Sequence, residues 1–407
     1  MSQAEPKVQK HSNLRFLVSS LAFSSVAIAV SNGIITLLLI EIASAFQVSE
    51  GVAAQIRTVN AAAELIFALL MCILVVRFKH KSLLIAGLSI VAISGIGAYL
   101  APTFELMLFF SFLEGMGTVM VTIMAFTIIG DLLSNNKKAQ AVGYIVAAGY
   151  FFALVGSPLT NFVANLGGWR LTFLLLVAPM ALIGLILVFL CIKTPAPTQN
   201  PKTNKSIYIS QFKEVLKNKS ATFCLLSSLF YTGPSIGLFV VVFMRENFGL
   251  SRDFSVYILI ITALFFITGS LIAGRLGNRL GAKTLTLIGF LTDGFFIILI
   301  FCSPNIWLAM AFNFIHVLFT GIGDSAFSCL AVDQIPNSRG TMISLIRVFT
   351  SAGKTLTPAL GGALLVILAS QSISISYQAL GIVLGIITIF AAIILKLFVK
   401  NQPSTVD

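Results

Sequence analysis

Apolar runs of about 20 residues recur along this chain, long enough to cross roughly 30 Å of hydrocarbon as helix. Short segments rich in Lys and Arg separate them. Inside a bilayer only helices and closed barrels satisfy their own backbone. Barrel strands would alternate apolar and polar residues over short segments. Runs such as Leu174–Leu190 do not alternate, so the chain reads as helical. Composition agrees: of 407 residues 57% are hydrophobic and 10% charged, too few charges to clothe a soluble protein of this length.

Twelve helices are predicted, at 16–41, 52–77, 82–101, 106–131, 140–164, 171–193, 221–245, 254–277, 283–302, 306–332, 341–367 and 377–398. The net charge of +12 would suit a nucleic-acid binder, but its distribution suits a membrane protein better. Of 26 Lys and Arg residues, Arg57, Arg347 and Lys354 fall within predicted spans away from the loops, and those at span ends are counted with the loops they adjoin. Only Arg170, Arg245 and Arg252 fall in the loops of one side, and the remaining 20 in the loops and tails of the other. The positive-inside rule then puts both termini in the cytoplasm, in a plasma or inner membrane, with no nucleic-acid partner. Trp169 and Trp307 fall at outer helix ends, where indole favours the interface. The first apolar run is too long for a signal-peptide core and reads as a retained helix. The five cysteines, all in predicted helices, show neither paired nor metal-like spacing and read as small apolar core residues.

The segment from Thr194 to Lys219 breaks the pattern with Pro195, Pro197 and Pro201 among lysines, then Ile207, Ile209, Phe212, Val215 and Leu216. It reads as a linker followed by a short surface helix. The predicted organisation is an N-terminal tail (1–15), a six-helix bundle (16–193), a linker (194–220), a second six-helix bundle (221–398) and a C-terminal tail (399–407). The bundles repeat. Arg77 and Lys81 superpose on Arg279 and Lys283 at a shift of 202, and Phe46-Gln47-Val48-Ser49 falls on Phe248-Gly249-Leu250-Ser251. Two parallel halves place a substrate site between them near mid-membrane.

The stretch Gly274-Arg275-Leu276-Gly277-Asn278-Arg279-Leu280-Gly281-Ala282-Lys283 is similar to the inner-loop signature of the major facilitator superfamily, with Asn278 in place of its acid. The first-half copy keeps Arg77 and Lys81, with Val76 for the acid and Lys79 for the glycine. Gly168-Trp169-Arg170 before helix 6 and Arg339-Gly340 opening helix 11 also resemble the family. Leu39-Ile40-Glu41-Ile42-Ala43 is similar to the end of helix 1 in twelve-helix drug/proton antiporters, whereas Gly156-Ser157-Pro158-Leu159-Thr160-Asn161 departs from their helix 5 pattern. The resemblance implies an all-α fold of two pseudo-symmetric six-helix bundles and a monomer moving a small-molecule substrate. It also implies an inner gate built from Arg77, Lys81, Asp131, Gly274, Asn278, Arg279, Gly281, Lys283, Asp333 and Arg339.

A charge at helix centre costs about 2.5–3.5 kcal/mol on insertion scales, so each needs a reason. Helix 2 carries Arg57 and Glu64, and helix 11 carries Arg347 and Lys354, each pair on one helix face. Three readings are open: a Glu64–Lys354 contact that forms in one access state and breaks in the other, a static Glu64–Lys354 ion pair, or each charge pairing within its own half, with Arg57 and Arg347 as further members. Glu114 and His316 occupy equivalent places in the repeat; with Asp324 and Glu64 they are the candidates for carrying a coupling proton. Asp293 reads as structural. Asn32, Phe230, Tyr231, Arg347 and Lys354 complete the candidate substrate cavity, with Pro234 marking a break in helix 7. No His, Asp or Cys cluster suggests a metal, cofactor or nucleophile, and there is no phosphate-binding Gly-x-x-x-x-Gly-Lys, so an enzyme is not expected. Proton-coupled efflux of a small organic solute leads. Uptake or exchange of an organic anion on Arg57, Arg347 and Lys354 follows, and a non-transporting sensor stands third.

Overall fold

The computed structural model describes residues 11–132, 135–192, 213–335 and 339–400; within these, some side chains, those of 130–153 foremost, are not described. Twelve helical spans follow in order: α1 (His11–Phe46), α2 (Glu50–Ala53 running on through Ala54 into Gln55–Arg77), α3 (His80–Leu100), α4 (Phe104–Leu132), α5 (Asn135–Thr172) and α6 (Ala178–Cys191). The second half holds α7a (Lys219–Phe230) and α7b (Gly237–Phe248), then α8 (Arg252–Leu280), α9 (Ala282–Phe301), α10 (Ile306–Asp333), α11 (Arg339–Ile367) and α12 (Ile373–Phe398). Among the described residues, ten stretches are long and apolar enough to span a membrane. α5 and α6 count as one, because their helical backbone continues through a kink at Gly167 and Gly168. α11 is not among the ten; Lys354 and a run of hydroxyl residues keep its mean hydropathy down.

The repeat is visible in the backbone. Ser49 caps α2 by accepting the Val52 N–H at 3.3 Å, and Ser251 caps α8 by accepting the Phe254 N–H at 3.2 Å. Two residues before each cap the chain turns through a left-handed conformation, at Gln47 (φ 55°) and Gly249 (φ 66°). Asn60 on α2 donates to the Ser111 carbonyl on α4, and Asn313 on α10 donates to Thr262 on α8, both at 3.2 Å. Small residues set the close crossings. A Cβ on Gly87 would lie 3.1 Å from the Gly117 carbonyl oxygen, and one on Gly289 would lie 3.1 Å from the Phe319 carbonyl oxygen.

Each half caps a helix end at its terminal face in the same way. Lys81 donates to the Phe189 carbonyl at the end of α6 (2.8 Å), and Lys283 donates to the Lys396 carbonyl at the end of α12 (3.3 Å). A cation at a helix C-terminus meets unpaired carbonyls and the negative end of the helix dipole. Gly281 turns with φ 78°, which explains the glycine in that copy. Its counterpart Lys79 has φ −63°, so the first copy needs no glycine there. The side chains of Asp131, Asn278 and Arg339 lie outside the described residues. Of the expected surface helix, 213–217 is helical, with Val215 buried in the core; Ile207, Ile209 and Phe212 lie outside the described residues.

The halves meet at the opposite face. Glu41, at the end of α1, accepts two hydrogen bonds from Arg245 at the end of α7b (2.7 and 3.0 Å). Arg245 also donates to the Leu37 carbonyl. Arg252 lies 3.8 Å from Glu41 and donates to Asn161 (2.8 Å) and to Asn165, both on α5. Asn161 in turn donates to Asp253 at 2.7 Å. Beside this clasp the backbones of α2 and α11 touch: a Cβ on Gly51 would lie 2.7 Å from the Gly362 oxygen. The two halves are therefore joined at the face opposite the termini.

Two sequence expectations are corrected. Trp169 is 6% exposed and packs against Phe46 and Phe173, with the Arg170 guanidinium 4.4 Å from its ring; Trp307 alone is open, at 71%. Arg170 also donates to the Ala101 carbonyl. Cys302 and Cys329 are exposed, and only Cys224 among the described cysteines is a buried core residue.

Gly289→Leu is expected to lower the thermal midpoint in detergent, at a cost of about 1–3 kcal/mol from overpacking. Gly277→Ala, where a Cβ meets nothing within 4 Å, should leave it unchanged. Arg245→Glu should lengthen the distance between spin labels at positions 166 and 257 by about 5 Å or more, as the halves part at the clasp. Combining it with Glu41→Arg should restore the short distance.

Candidate functional site: a charged seam between the halves

Three helices of the first half bring polar groups to the seam. Arg57 on α2 donates to Asn32 on α1. The strongest opposing charge on Arg57 is Glu114 on α4, followed by Glu64 one heptad along α2. Glu114 is 5% exposed and has the Ser31 hydroxyl beside it. A carboxylate held so deep is stable only with donors or cations at hand. The Asn60 bond to Ser111 fixes α2 against α4 at that depth, and Gly115 lets them approach, since a Cβ there would lie 2.1 Å from the Asn60 oxygen.

The second half presents Asp324 from α10 and Arg347 and Lys354 from α11. Arg347 and Lys354 are exposed. The Arg347 guanidinium reaches across to the Phe126 ring of α4, 5.9 Å from its centroid. Lys354 is the strongest positive charge acting on Glu64, ahead of Arg57 and Arg347. Asp324 feels Arg347 first and Lys354 second. No direct ion pair joins Glu64 to Lys354 among the described residues. The seam thus holds three carboxylates and three permanent cations, in field contact across the interface but not locked together.

The remaining candidates lie elsewhere. Phe230 lines an apolar crevice of about 240 Å³ between α7a, α11 and α12, edge-on to Phe390, away from the charged groups. Tyr231 stacks on Phe290 at 3.8 Å within the second-half core. His316 is 2% exposed and its Nδ1 lies 2.7 Å from Asp293, which is wholly buried. Asp293 is thus the buried partner of His316, a contact the sequence reading of it as merely structural did not include. Sequence reasoning also missed the clasp: Arg245 and Arg252 were counted only as loop charges, and Glu41 only as part of a motif. Two cations and one acid at neighbouring helix ends were the available signal.

The Major Facilitator Superfamily model matches residues 21–258 and 223–407. The uncharacterized MFS-type transporter YceJ of Bacillus subtilis is 24% identical over 288 residues, 70% of this chain and 73% of that one. Multidrug resistance protein 2 of Bacillus subtilis is 22% identical over 298 residues, 71% of this chain and 73% of that one. Among solved structures, a D-xylose–proton symporter superposes with a TM-score of 0.79 at 15% identity, covering 95% of this chain and 98% of that one. With the family model spanning both six-helix bundles, this chain belongs to the major facilitator superfamily of membrane transport proteins.

Proposed function

We propose that this chain is a secondary active transporter that exports a small organic solute in exchange for protons, by alternating access around the charged seam. The observation that carries the reading is the set Arg57, Glu64 and Glu114 facing Asp324, Arg347 and Lys354. A buried acid such as Glu114 holds a proton or a cationic group, not both, and that competition is what an exchanger needs. Glu114 and Asp324 are the proton carriers in this account. Glu64 and Lys354 pair in the access state opposite to the one described, where the clasp has opened and the terminal face has closed. The uneven Lys and Arg distribution orients the termini to the cytoplasm. The export direction leans on the multidrug relative and on the stretch around Glu41.

A second reading, carriage of an organic anion, is favoured by Arg347 and Lys354, exposed cations with no ion-pair partner among the described residues. Anion and proton would then bind together rather than compete, because an anion on the cations leaves the acids without counter-charge.

Proteoliposomes with a trapped pH dye and an imposed proton gradient separate the readings. A lipophilic cation is expected to drive proton movement, and Glu114→Gln should cut that flux by about tenfold or more, a change of ~1.4 kcal/mol. Lys354→Ala should slow exchange while leaving equilibrium binding of the cation in place. Proton movement driven by small carboxylates alone would favour the anion reading. Movement with neither would argue for a sensor.

A further inference from the structure

Helix 7 is broken beside Asp293, the one wholly buried acid of the second half among the described residues. α7a ends at Phe230, a single 3-10 turn spans Gly233–Ser235 around Pro234, and α7b starts at Gly237. Three contacts hold the break. Tyr231 stacks on Phe290 of α9. The Thr232 hydroxyl lies 2.5 Å from Thr388 and 3.2 Å from the Leu384 carbonyl, both on α12. Gly233 lies against Asp293 of α9, so closely that a Cβ there would come within 1.9 Å of Oδ2. The other carboxylate oxygen, Oδ1, accepts the Thr320 hydroxyl (2.5 Å) and faces His316 Nδ1 (2.7 Å). Oδ2 has no hydrogen-bond partner among the described residues. It points at the turn from which the α7b amides emerge.

We infer that Asp293 and His316 form a proton-holding pair that sets the bend of α7. With a proton added, His316 is a cation beside Asp293 and the pair is neutral overall. With that proton lost, Asp293 is an anion in a dry core, helped only by Thr320 and a neutral imidazole. Such a charge is costly unless dipoles close on it. The break can supply them: Gly233 lies against Oδ2, and α7b, which starts just after that turn, has its positive end there. Losing the proton therefore draws the break onto Oδ2, and gaining it lets the break loosen. The other groups facing the pair are few. α7 brings Tyr231 and α12 brings the Thr388 hydroxyl. α10 brings Asp324, which feels the charge of Asp293 and connects the pair to Arg347 and Lys354 of α11. Asp293 and His316 are positioning residues for α7 and need not touch the solute. The inference rests on alternating access but not on Glu114 or on the direction of transport.

Hydrogen–deuterium exchange of full-length protein in lipid nanodiscs tests this, read on the peptide covering residues 229–240 between about pH 5 and pH 8. After correction for intrinsic exchange, protection of this peptide should rise with pH by about threefold or more, ~0.7 kcal/mol. Asp293→Asn and His316→Gln should flatten the profile, and Glu114→Gln should keep it. If Asp293→Asn does not fold, His316→Gln decides alone. A flat wild-type profile overturns the inference, as does a wild-type slope in His316→Gln or a slope lost in Glu114→Gln. Loss of proton-coupled flux in the proteoliposome assay with this slope intact would count against the exporter reading alone.

Discussion

The cost of placing charge in hydrocarbon organises this molecule. Each ionised side chain at mid-membrane must find a partner or an aqueous surface, and two bundles offer one place for both, the seam between them. Arg57, Glu64 and Glu114 therefore face Asp324, Arg347 and Lys354, while the outer faces of α3, α6, α9 and α12 carry Leu, Ile and Phe. Packing reinforces the division. Within each half glycines allow tight crossings such as Gly87 with Gly117; across the halves Gly51 meets Gly362 beside the clasp, while the charged groups of the seam form no direct ion pair among the described residues. A seam held by field rather than by interlocked side chains is one that can open.

Closure at the far face is of another kind. The Glu41–Arg245 bond is two-pronged, and Arg252 links it to Asn161 and Asn165. Such planar, charge-assisted contacts are strong when formed and form only in one geometry. At the terminal face the loop lysines 81 and 283 cap helices of their own half instead of the other. The two faces thus differ in where their cations spend their hydrogen bonds, and this asymmetry distinguishes the access state described.

Much of this was legible in the sequence. Run length and the lack of alternation specify helices, and the shift of 202 that joins Arg77 to Arg279 reappears as matched caps at Ser49 and Ser251. Arg57, Glu64, Glu114, Asp324, Arg347 and Lys354 could be picked out one by one because each is expensive where it stands. Their partners could not be. Glu41 and Arg245 are 204 residues apart, and nothing local to either specifies the other. His316 was read by its equivalence to Glu114, yet its contact is Asp293 on the neighbouring helix, since at this point the halves are not chemically symmetric. Phe230 and Tyr231 sit beside a helix break and were placed in the cavity for that reason. Which way an aromatic turns at a break depends on tertiary neighbours, here Phe390 and Phe290.

The central claim is that the charged seam is reached from the terminal face and shut off from the other by the clasp. Lys354→Cys in oriented vesicles, treated with a membrane-impermeant thiol reagent from either side, tests it most directly. Without substrate, the position should react from the side that carries the termini and stay protected from the opposite side. Reaction from the opposite side alone, or from neither, would contradict the account.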